Sequence, residues 1–195
     1  MYDDPDNKNQ RMELKLFMLL LGCKPKGRHV EQHDYFFGIA ESVDELYSEV
    51  KNFWPEAAGK IHIDAWREVT KVDGHKLMIE KRASENIKPA SEKLFFINLG
   101  GYQENKFEEQ HYTLLTLQPD MQTALKEAKK TLFFRQNQFE GATSHIDDKY
   151  GIDVDDIYLI SDILSEDQKN VYSISFTASP ETAEDEIHLG YLKIK

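Results

Sequence analysis

One cysteine in 195 residues leaves no partner for an internal disulfide, so Cys23 suits a reducing compartment. Long hydrophobic runs are missing too. No apolar stretch approaches the roughly 18 residues of a membrane span. The one stretch that could mimic a secretion signal, Leu14 to Leu21, follows Asp3, Asp4, Asp6 and Glu13 where a signal peptide needs cations. Positive charge is also scarce: 35 acids against 24 Lys and Arg give a net charge of −11, which opposes phosphate backbones and anionic lipid surfaces. None of the spacings of zinc fingers, phosphate loops, nucleophile elbows or dinucleotide folds is present. These absences predict a cytoplasmic protein that binds neither nucleic acid nor membrane.

What is present is a repeated stretch. KLFMLLLGCKPKGRHVEQH at Lys15 to His33 recurs as KLFFINLGGYQENKFEEQH at Lys93 to His111 without a gap, pairing Gly22 with Gly100 and Glu31 with Glu109. An ungapped match of this length points to internal duplication. Each copy opens on a continuously apolar run, which reads as a buried strand, and a second strand follows at the Glu-Gln-His motif. A helix comes next. Ser42 with Glu45 forms a capping box ahead of a stripe of Leu46, Tyr47, Val50, Phe53 and Trp54. In the second copy Asp120 is the cap and Met121, Ala124, Leu125, Ala128 and Leu132 form the stripe. Asp73-Gly74, between Trp66 to Val72 and His75 to Glu80, is a strong hairpin signal.

The predicted architecture is α+β: two similar β-β-α-β-β repeats with antiparallel sheets, helices on one side and a C-terminal hairpin. Residues 1–13 read as a flexible arm, 14–81 as repeat one, 82–92 as a linker and 93–164 as repeat two. Residues 165–195 read as C-terminal strands packing on repeat two.

Two motifs recur with their chemical side chains intact, Glu31-Gln32-His33 with Glu109-Gln110-His111, and His62-Ile63-Asp64 with His145-Ile146-Asp147. On strands, alternation places Glu31 with His33 and His62 with Asp64 on one side. Two imidazoles and two carboxylates per copy are the donor set of a divalent metal, or of an acid/base pair with an oriented imidazole. The competing reading is that these side chains only bracket backbone amides. The preferred function is small-ligand or metal binding by this His/Glu/Asp cluster. A metal-dependent hydrolase or lyase and a non-catalytic structural or regulatory scaffold are the alternatives, and homo-oligomerisation stays open.

Copy two is the expected holder of any site, because the longer run FFRQNQFEGATS before His145 offers a lip and Gly100-Gly101 allows close backbone approach. Asp147, Asp148, Asp153, Asp155 and Asp156 read first as a solvated acidic face, although the Asp147-Asp148 and Asp155-Asp156 pairs add charge that would hold a cation at copy two's site, and His188 reads as an ordinary core or edge residue. KLF-x3-LG, E-Q-H, GATSHIDDKYG-x-DVDD and DEIHLGYLKI together resemble the bacterial domain-of-unknown-function family 1543, which occurs in one or two copies per chain. That resemblance implies the duplication and assigns no catalytic residues.

Overall fold

Continuous apolar runs become the central strands. In the computed structural model, which describes residues 13–82, 91–101, 107–136, 153–181 and 183–194, β1 spans Lys15–Cys23 and is buried along nearly its whole length. Strands covered on both faces need apolar residues at successive positions, which is why KLFMLLLGC does not alternate. β2 (Gln32–Ala40) pairs antiparallel on one side of β1 and β3 (His62–Val69) on the other. The chain is α+β, with antiparallel sheets and few helices.

The described residues divide into two compact units, one holding those up to Thr70 and from Asp185 onward, the other Lys71 to Glu184. In the first unit a single 3-10 turn, Val43–Leu46, leads into α1 (Tyr47–Phe53). Leu46 and Val50 pack on Phe17, Leu19, Leu21 and Ile63, as the stripe predicts, whereas Phe53 at the far end is 44% exposed. The expected capping box is not formed by Ser42, whose side chain makes no cap bond. Glu45 Oε2 instead accepts the Glu41 amide at 3.0 Å.

The second unit repeats the plan of three strands and a helix. β6 (Lys93–Gly101) lies between β7 (Gln110–Gln118) and β8 (Asp153–Leu159). α2 (Met121–Gln136) buries Ala124 and Ala128 on Phe95, Ile97 and Leu99. Asp120 caps it, accepting the Thr123 amide at 2.8 Å. The short helices α3 (Ile160–Ile163) and α4 (Glu166–Val171) follow β8.

The hairpin signal is met by β4 (Lys71–Val72) and β5 (His75–Lys81) around Asp73 and Gly74, both at positive φ, 48° and 72°. Its first strand is shorter than expected, because β3 ends at Val69 and belongs to a different sheet. Asp73 is more than a turn residue. Its Oδ2 accepts from Thr116 Oγ1 and from the Leu117 amide, each at 2.8 Å, and so ties the hairpin to β7.

The C-terminal strands correct the sequence expectation. They do not pair with each other, and only one lies in the second unit. β9 (Tyr172–Ala178) pairs with β5, while β10 (His188–Lys193) pairs with β3 of the first unit. The reason is apolar burial: Leu192 and Ile194 pack against the first unit's core. Asp185 anchors the return, its Oδ2 accepting the Thr70 amide at 2.9 Å and its Oδ1 the Thr70 hydroxyl. Most of the proposed linker lies outside the described residues; the longer run before His145 starts inside α2, at Phe133 to Gln136, and the rest of it lies outside them too.

Candidate functional site

Alternation along β1 sends Phe17, Leu19 and Leu21 into the core under α1 and turns Gly22 to the opposite face. Gly22 faces His33 on β2 and His62 on β3 across the ladder. The same register occurs in the second unit, where Gly100 faces His111 on β7 and Asp153 on β8. Each outer strand then carries a bulge one step on. Leu20 pairs with Ala65 and Leu21 with Ile63, leaving Asp64 as the extra residue. Asn98 pairs with Asp156 and Leu99 with Val154, leaving Asp155. Bulges re-aim side chains, and both carboxylates turn toward the glycine.

In the first unit the four predicted residues come together. His62 Nε2 lies 3.1 Å from Glu31 Oε1 and 3.2 Å from Asp64 Oδ1, and His33 Nε2 lies 3.2 Å from Asp64 Oδ2. The donors thus form a chain, Glu31 to His62 to Asp64 to His33. His62 is 5% exposed, and Tyr191 of β10 stacks on its ring at 4.1 Å between centroids. Its Nδ1 is buried without a hydrogen-bond partner. A Cβ at position 22 would overlap His62 Nε2 and come 2.5 Å from Asp64 Oδ2, so the concavity exists because the residue is glycine.

In the second unit His111 Nε2 lies 3.2 Å from Asp155 Oδ2 and 3.9 Å from Glu109 Oε2. One donor atom from each of Glu109, His111 and Asp155 falls within 4.8 Å of the others, so the three can ligate one cation. A Cβ at position 100 would overlap Asp155 Oδ2 and sit 2.8 Å from its Cγ. This cluster is the more open of the two, with the His111 side chain 51% exposed.

The equivalence drawn between His62-Ile63-Asp64 and His145-Ile146-Asp147 is corrected by the register. Asp153-Val154-Asp155 occupies the β8 positions that correspond to His62-Ile63-Asp64 on β3, and His145 and Asp147 lie outside the described residues. Asp155, which the sequence offers only as part of an acidic face whose charge would hold a cation, is itself a member of the cluster. The pattern Asp-Val-Asp against His-Ile-Asp was the available signal, hidden by the identical tripeptide eight residues earlier. Tyr191 carried no signal, since nothing local places a C-terminal strand beside β3. Cys23 is buried, and burial, followed by the nearby Glu31 charge, pushes its thiol up, which makes it a poor nucleophile.

Comparison with known proteins fits this geometry. Residues 28–79 match the family model described as Domain of Unknown Function (DUF1543). The matched segment contains Glu31, His33, His62 and Asp64. The crystal structure of protein Il1583 from Idiomarina loihiensis is similar in fold, with a TM-score of 0.58 at 18% identity over 94% of this chain and 99% of that one. No curated protein matches the sequence.

Proposed function

We propose that this is a cytoplasmic protein that binds a divalent cation, or a small ligand through such a cation, in the second unit. The observation that carries the reading is the convergence of one donor atom each from Glu109, His111 and Asp155 within 4.8 Å. Two carboxylates and one imidazole favour an oxygen-preferring ion such as Mn2+ or Mg2+ over a thiophilic one. The half-exposed His111 gives a ligand access to the ion.

Several features support the wider reading. The single cysteine suits a reducing compartment, and the charge of −11 opposes binding to nucleic acid. The shared register and bulge of β1-β2-β3 and β6-β7-β8 support descent from an internal duplication.

Mn2+ titration followed by water-proton relaxation tests the site. His111→Ala and Asp155→Asn should each weaken Mn2+ at least tenfold, with thermal midpoints close to the parent because both groups are exposed. Unchanged Mn2+ affinity in both variants, or no Mn2+ binding by the parent, would overturn the reading.

A further inference from the structure

We infer that the first unit holds a second and chemically different metal site, built from His62, Asp64, Glu31 and His33 and selective for an imidazole-preferring transition ion such as Zn2+ or Co2+. The inference is independent of the cation site proposed for the second unit. It starts from one register position. Opposite Gly22 stands His62, whereas opposite Gly100 stands Asp153, so at these register positions, among the described residues, the first unit offers two imidazoles and the second one. Imidazole nitrogen favours zinc, cobalt, nickel and copper, and carboxylate oxygen favours magnesium, calcium and manganese.

Two of the donor distances suit a metal in place of the proton on His62 Nε2. Around a tetrahedral ion with bonds of about 2.0–2.1 Å, neighbouring donors are separated by roughly 3.3 Å. His62 Nε2 lies 3.1 Å from Glu31 Oε1 and 3.2 Å from Asp64 Oδ1, within a few tenths of that edge. Asp64 already joins the two rings, since His33 Nε2 lies 3.2 Å from its other oxygen. Unlike the second-unit donors these four do not yet converge on one point; His62 is fixed by burial and by Tyr191, and Glu31 and His33, with side chains 44% and 48% exposed, must turn inward to close the site.

Two local features bear on the metal reading. His62 Nδ1 is buried without a protein partner among the described residues, so a metal at Nε2 would leave the ring N–H to be met by a water rather than by a protein acceptor. Metal binding at Nε2 moves the ring proton to Nδ1, so the neutral ring loses no proton overall. Gly22 is the second sign, because any side chain there would fill the space between His62 and Asp64.

Co2+ is the probe, since its visible d–d absorption reports a tetrahedral nitrogen and oxygen site. The full chain should bind Co2+ with that band, keep it in His111→Ala, and bind at least tenfold more weakly in His33→Ala and Glu31→Gln. Both substitutions are at exposed side chains, so the fold should persist, as circular dichroism would check. Zn2+ should displace the Co2+, and Mn2+ should not. Absence of the band in the parent, or parent-like Co2+ affinity in both His33→Ala and Glu31→Gln, would overturn the inference. A band lost in His111→Ala but kept in His33→Ala would do the same by assigning Co2+ to the second unit. The Mn2+ response of His111→Ala is read separately, so either site can fail without the other.

Discussion

At the scale of single residues, Gly22 and Gly100 are the same choice with different penalties. An alanine at 22 must displace His62, which is buried and stacked on Tyr191, whereas an alanine at 100 meets the carboxylate of Asp155, a partly exposed side chain that can swing away. Gly22→Ala should therefore destabilise by about 1–3 kcal/mol, the usual range for overpacking a fixed site. Gly100→Ala should leave the thermal midpoint almost unchanged while weakening Mn2+. Denaturant unfolding and Mn2+ titration of both variants check this, and equal destabilisation would contradict it. The grouping of Glu31, His33, His62 and Asp64 was legible because strand alternation sets Glu31 beside His33 and His62 beside Asp64, even though the match of His62-Ile63-Asp64 to His145-Ile146-Asp147 is not the one the ladder makes. Asp155 was legible only as added charge and not as a member of the cluster, because a bulge is set by ladder pairing between distant strands and leaves no local periodicity.

Elements were legible where a local rule acts alone. Asp120 caps α2 as its position predicts, and the bond from the Thr123 amide holds its carboxyl below the usual carboxylate range. A carboxyl with a lowered folded-state pKa contributes stability above its unfolded value and loses it as pH falls through the folded one. The helix of Asp120→Ala should thus fray at neutral pH, with a lower helical circular dichroism signal, and the difference from the parent should vanish as acid protonates Asp120. A difference that persists at the acid end would place the effect elsewhere than in the charge. The Ser42 cap failed where Asp120 succeeded, because the first helix opens as a 3-10 turn whose geometry the motif does not encode. The two apolar stripes gave the buried positions Leu46, Val50, Ala124 and Ala128, since a period of 3.6 needs no knowledge of the partner.

At the scale of the whole molecule, the placement of β9 and β10 escaped the sequence, because either strand has the alternation to join any open edge. The outcome is that the first unit is assembled from two stretches of chain. The Thr70–Asp185 bonds close a sequence separation of 115 residues, with β10 beyond them. Ending the chain before Asp185 should remove Leu192 and Ile194 from the core, leave the edge of β3 unpaired, and cost about 2–5 kcal/mol, as loss of two partly buried aliphatic side chains does. Hydrogen exchange should then show loss of protection in β1 and β3 but not in β6 and β7; retained protection throughout would refute this. The same feature sets an order of events on the ribosome. The strands synthesised early cannot complete their sheet until everything from Lys71 to Glu184 has emerged, so at roughly 5–20 residues per second they wait for many seconds with one edge bare. Nascent β3 is consequently the point at which a chaperone would have most to do, and at which slow translation would be most harmful.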